Sequence, residues 1–175
     1  MIHMWQLIRA DFLAEYDESG YQGRFRKTFH AMTSPGFQAI FLYRISHQLG
    51  KLRIPMIGMM LQRIAEVWTG ISISPKASIG PGLIIYHFGG VIINGNAEIG
   101  RDCRIHHEVT IGNRQPGGPS PKLGDRVMIG AGAKLLGDIT IGNDAEIGAN
   151  AVVLNSVPEK AIAVGVPARV VRTKE

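Results

Sequence analysis

Residues 127–154 read VMIGAGAKLLGDITIGNDAEIGANAVVL, and the spacing of their aliphatic side chains decides the fold. Ile129, Leu135, Ile141, Ile147 and Val153 stand six residues apart, and glycine follows three of them directly, at 130, 142 and 148. Small side chains come four residues after several of these anchors, at Ala133, Ala145 and Ala151. A period of six is neither the 3.6 of a helix nor the simple alternation of a strand. It fits a chain that turns a corner every six residues, with three short parallel strands to each coil and the anchors stacked in a narrow core. Glycine supplies backbone conformations that such corners need.

Working outward, the same step runs back through Leu123, Ile111, Ile105, Ile99, Ile93, Ile85, Ile79 and Ile73. The companion positions read Ala77, Gly89, Ala97, Cys103, Val109 and Val127. With rungs ~4.8 Å apart, the five or so coils expected over 71–158 make a prism roughly 24 Å long. Two steps are irregular. Ile85 to Ile93 is eight residues, and Ile111 to Leu123 is twelve, which keeps the phase. The second holds NRQPGGPSPK, residues 113–122, whose glycines and prolines predict a protruding loop that replaces one flat face. Long loops on rigid scaffolds commonly help to build sites.

Before residue 70 the pattern is helical, so 1–70 is expected to be a separate helical region and 159–175 a tail that caps the last coil. Ser34 as N-cap, Pro35 at the first helical position and Gly50 at the stop bracket one helix, with Phe37, Ile40, Phe41, Ile45 and Leu49 as its apolar stripe. A second helix is expected from Pro55 to Gly70 and a third over MIHMWQLIRADFLAEY; the apolar run Met56–Leu61 is expected to pack against the rest of the protein.

Composition narrows the function. Charged residues are 19% and hydrophobic ones 45%, as in a globular chain, and the net charge of +5 is spread without a basic run, which argues against nucleic acid. One cysteine, Cys103, excludes an internal disulfide framework. Neither a leader-like start nor an 18-residue apolar run is present, so a cytoplasmic setting without membrane insertion is expected. His106, His107 and Glu108 are adjacent and alternate in direction, so no metal site is expected of them.

IGAGAK, IGANAV and the closing VPEKAIAVGVPARVV resemble the hexapeptide-repeat acyltransferases. GFQAIFLYRISHQL, SPKASIGPGLIIYH and VMIGAGAKLLGDITIG resemble their serine O-acetyltransferase branch. The resemblance spans roughly residues 34–172. It implies a mainly β, left-handed parallel β-helix with a short helical N-terminal region. It also implies direct transfer from acetyl-CoA, as co-substrate, to a hydroxyl, in a homotrimer or a pair of trimers. His87 falls on the branch's catalytic histidine; an imidazole titrates near neutrality and suits removal of a hydroxyl proton. His107, three repeats after His87's own anchor, is a second catalytic candidate. Backbone near Ala131 and Ala149 matches the coenzyme's pantetheine contacts, Lys122, Lys134 and Arg169 are candidates for its phosphates, and Pro167 and Ala168 for its adenine.

The acceptor side departs from the branch. Tyr86 and Ser72 stand where it keeps aspartates, and Pro119 and Ser120 where it keeps an arginine–histidine pair. Tyr86, Ser72, Asn113 and Arg114 are therefore taken as acceptor contacts, and the favoured acceptor is a sugar hydroxyl in surface-polysaccharide synthesis, as in the colanic-acid type of relative that HHEVTIGNR resembles. L-serine acetylation for cysteine synthesis is the second reading, and a noncatalytic β-helix serving assembly or binding the third.

Overall fold

A computed structural model describes residues 3–174. Four helices, α1 (Met4–Glu18), α2 (Arg24–Thr33), α3 (Pro35–Lys51) and α4 (Pro55–Thr69), precede a parallel β-helix of about five coils. Its first face holds β1 (Ile71–Ile73), β4 (Val91–Ile93), β7 (Thr110–Gly112), β10 (Lys134–Leu136) and β13 (Val152–Val153). The second holds β2 (Ser78–Ile79), β5 (Glu98–Ile99), β8 (Lys122–Leu123) and β11 (Thr140–Ile141). The third holds β3 (Ile84–Ile85), β6 (Arg104–Ile105), β9 (Met128–Ile129), β12 (Glu146–Ile147) and β14 (Ala161–Gly165), closed by the antiparallel β15 (Ala168–Thr173).

Every anchor of the six-residue series, from Ile73 to Val153, is buried in one continuous core. The companion residues are buried with them, including Cys103, whose thiol burial pushes up to about 11. Gly89 is the exception. The inward place in its coil belongs to Val91, because two extra residues intervene at that corner. The 113–122 loop differs from expectation too. Leu123 pairs with both Ile99 and Ile141, so the second face is unbroken. A whole extra step of six is extruded at the corner between first and second faces, which leaves the register of every later strand intact.

In the helical region, Ser34 accepts from the Phe37 N–H (3.5 Å) and Pro35 opens α3, as read from sequence. Gly50 is not the stop; α3 runs through it to Lys51. The α3 face against the β-helix is Gly36, Ala39, Ile40, Tyr43 and Arg44, displaced from the predicted stripe; Phe37 and Phe41 instead line a groove toward α1. Gly36 permits this docking, since a Cβ there would lie 2.0 Å from the Ile85 carbonyl oxygen. Helix α2 was not expected. It carries three cations and a histidine on ten residues, and its apolar side chains Phe25, Phe29 and Met32 are exposed. Helix α4 seats its small residues Gly58 and Ala65 inward and leaves Met56, Met59 and Met60 exposed, against the expectation that this run packs. Among the described residues no helix is long and apolar enough to cross a membrane.

A buried ion pair joins the two regions. Arg44 donates to both Asp11 oxygens (2.9 and 3.1 Å) and to the carbonyls of Ile79 and Gly80 (2.6 Å each). Asp11 in turn accepts from the N–H groups of Gly82 (2.9 Å) and Leu83 (3.2 Å). Truncating one partner strands the other charge in the interior, at a cost of about 3–5 kcal/mol. Asp11→Ala should therefore lower the unfolding free energy by about that much, measured by urea denaturation; a loss no larger than that of an exposed ion pair would show that the pair is dispensable.

Candidate active site

The site begins at the corner after β3. Tyr86 N–H donates to Ile105 O (2.8 Å) and His106 N–H to Ile129 O (3.0 Å), which aligns Tyr86 with His106 in the next coil. Past the corner, Glu108 N–H donates to Gly89 O, Gly132 N–H to His107 O and Asn150 N–H to Ala131 O. Gly89, His107, Ala131 and Ala149 thus form one column along the edge between third and first faces. His87 and Phe88 are the two residues left over. The eight-residue step seen in the sequence is a bulge, and His87 heads it with φ of 66°, a left-handed backbone that a non-glycine residue adopts at a cost of roughly 1–2 kcal/mol. The ladder places Gly89, not His87, level with His107.

Three imidazoles meet there. The His87 ring lies 5.4 Å from that of His107, edge to face, and 6.2 Å from that of His106. His106 does not point away from His107, because the two residues sit on a corner and not within a strand. Its ring lies 4.8 Å from that of Tyr86 at a tilt, and burial, then the neighbouring His87 and His107, holds it below the usual imidazole range. Nδ1 of His107 is buried and without a hydrogen-bond partner, a state that costs about 1–3 kcal/mol.

His87 and Tyr86 also line a cavity of about 270 Å³ whose other wall comes from the helices: Glu15, Glu18, His30 and Ser34. Tyr86 donates its phenolic proton to Glu18 (2.8 Å), and Arg104 bonds the other Glu18 oxygen (3.0 Å). The hydrogen bonds from Arg104, then Tyr86, hold the Glu18 carboxyl below its ordinary range. Burial, then Glu18, pushes the Tyr86 hydroxyl up to about 12, so it stays protonated. Burial pushes Glu15 the other way, above the carboxylate range; its oxygen lies 3.7 Å from His30 Nε2. Sequence inspection missed Glu15, Glu18 and His30 because nothing local links α1 and α2 to residue 87. A larger apolar groove of about 730 Å³ between α1, α3 and α4 has Arg9 as its single charged lining residue and offers no acid–base group.

The other sequence candidates are dispersed. Ser72 lies on the first face and donates to Glu66 (2.6 Å). Asn113 and Arg114 lie at the edge between first and second faces, away from the His87 edge; Arg114 is folded back onto the carbonyls of Leu136 and Leu154. Lys122 is on the second face, paired with Glu98 (2.9 Å), and Lys134 bonds the Glu108 carbonyl. Pro167, Ala168 and Arg169 sit at the turn and start of the β14–β15 hairpin. Among the described residues no group of three or more His, Cys, Asp or Glu is placed to hold a metal.

Coils of this kind with a histidine cluster at one edge define a class of acyl-transferring β-helix, and comparison narrows it. A family model described as bacterial transferase hexapeptide (six repeats) matches residues 120–155. The serine acetyltransferase of Helicobacter pylori is 47% identical over 139 residues, 78% of this chain and 81% of its own length. Among solved structures, the Neisseria gonorrhoeae serine acetyltransferase in complex with serine superposes with a TM-score of 0.88 at 36% identity, covering 95% of this chain and 68% of that one. The Brucella abortus serine acetyltransferase in complex with coenzyme A gives 0.90 at 33%, covering 98% and 68%. The chain belongs to the serine acetyltransferase family of hexapeptide-repeat acyltransferases.

These relatives overturn the polysaccharide reading. It rested on the missing carboxylates at positions 72 and 86, the missing arginine–histidine pair at 119 and 120 and the resemblance of HHEVTIGNR, whereas the chain's similarity at 47% identity is to serine acetyltransferases, and the cavity beside His87 carries carboxylates of its own from α1.

The Glu18 contribution to stability is present above the ordinary carboxylate range, where the ion is bonded in the fold and only hydrated when unfolded. It is lost as pH falls through the lower folded value. Glu18→Gln should thus be less stable than the native chain at pH 7 and converge with it in acid, as read from thermal melts across pH; a gap that persists in acid would rule out the charge as its origin.

Proposed function

We propose that the protein transfers the acetyl group of acetyl-CoA to the hydroxyl of L-serine, with His87 as general base. The observation that carries this reading is the lifted His87 ring, which faces a small cavity lined by Glu15 and Glu18 on one side and the Gly89–His107–Ala131–Ala149 column on the other. The cavity lies just below the ~300–1,000 Å³ of drug-sized ligand sites and suits a single amino acid. Glu18, ionised, gives an ammonium group a partner there, and His30 a second polar wall. The small side chains at 131 and 149 leave the column open to an extended pantetheine arm that ends at His87.

In this scheme His87 takes the serine hydroxyl proton as the oxygen attacks the thioester carbonyl carbon. The carbon–sulfur bond breaks, and the departing coenzyme A thiolate takes the proton from the imidazolium. Such base catalysis is worth about 10²–10⁴ in rate. We further read the working unit as a trimer. Within one chain Asn113 and Arg114 lie one prism face away from His87, so they reach an active site only on a neighbouring copy. The 1–70 region then serves the acceptor side, 71–158 the coenzyme edge, and 159–175 closes the prism beside Arg169.

The test is thiol release from acetyl-CoA with L-serine. His87→Ala should lose about 10²–10⁴-fold in kcat with acetyl-CoA binding retained by calorimetry. Native protein that binds acetyl-CoA yet releases no thiol with serine would overturn the acceptor, and an active His87→Ala would overturn the base.

A further inference from the structure

We propose that His107 is the positioning residue for His87, its unprotonated Nδ1 accepting a hydrogen bond from the His87 ring. The inference rests on His87 being the base and adds what orients it. Two observations carry it. The rings stand 5.4 Å apart, which brings their nitrogens within hydrogen-bonding reach, about 3 Å, once they turn toward each other. Nδ1 of His107 is also the buried side-chain nitrogen left without a partner among the described residues, so the fold holds an acceptor in reserve next to the base.

The surrounding groups leave this duty to His107. From α1, Glu18 is bonded to Tyr86 and Arg104, and Glu15 is bonded to Ser34 and faces His30 of α2. From the neighbouring coils, the His106 ring lies tilted against Tyr86, and Glu108 is exposed, its carbonyl bonded to Lys134. An imidazole acceptor fixes which His87 nitrogen carries the proton and which faces the substrate, as outer partners do for functional histidines. The low proton affinity of His106 agrees with a cluster that resists holding more than one charge.

The experiment is a ring-resonance NMR titration of His87 in the native protein, His107→Ala, His107→Gln and His107→Asp, with kcat and KM measured in parallel. Loss of the acceptor in His107→Ala should move the His87 midpoint down and lower kcat about 10- to 100-fold, with both KM values nearly unchanged. His107→Asp should move the midpoint above the native one and recover rate, while His107→Gln, whose amide oxygen can accept, should fall between. A midpoint that stays fixed in all three variants overturns the proposal, as does a loss confined to the KM for acceptor, which would make His107 a substrate contact. The titration needs no turnover. An inactive protein whose His87 midpoint follows the residue at 107 therefore fails the proposed reaction alone, and an active one with a fixed midpoint fails this inference alone.

Discussion

The Asp11–Arg44 pair is the constraint on which the site depends. The first coil of a β-helix has no preceding coil to satisfy its backbone, and here one ion pair bonds two carbonyls and two N–H groups around the corner between β2 and β3. Both side chains are almost wholly buried, so their desolvation is costly and is offset only because each has several partners. The pair also fixes α1 relative to β3. Glu15 and Glu18 lie one and two helical turns beyond Asp11, so the wall of the cavity facing His87 is positioned by a contact outside the cavity.

The β-helix contributes rigidity of a different kind. Its ladder repeats from coil to coil, and a side chain is freed from that repetition only where the count of six is broken. The chain breaks it twice, and both breaks fall at corners, where extra residues leave the stacked core undisturbed. The two-residue break lifts His87 off the column and into a left-handed backbone; the six-residue break extrudes 113–121. The His87 imidazole is thereby held by a scaffold whose anchors are fully packed, which is how a strained residue persists.

What the sequence made legible follows from the range of each signal. The six-residue period is local and repeated, so all its anchors could be read, and the break at 85–93 showed as an eight-residue step. The same counting failed at Gly89, where it assumed no bulge, and at the loop, where six extra residues look identical to a missing strand until Leu123 is paired with Ile99 and Ile141. The Asp11–Arg44 pair left no periodic trace. Glu18 bonds Tyr86 across 68 residues of chain, and no spacing rule reaches that far.

That long-range bond also explains why the acceptor was misread. At both positions where the resemblance implies an aspartate, this chain has a hydroxyl bonded to a glutamate from a helix: Tyr86 to Glu18 and Ser72 to Glu66, at 2.8 and 2.6 Å. The negative charge has been moved outward by one side chain, not removed. Arg104 and Tyr86 favour the ionised form of Glu18, and a carboxylate kept charged beside a small cavity favours a cationic group over a neutral one. Comparing motif positions one by one counts each substitution as a lost charge, because the residue that restores it belongs to another element. The electrostatic character of a site is a property of the assembled cavity, and here the helical region, the part of the chain with the weakest sequence signal, supplies it.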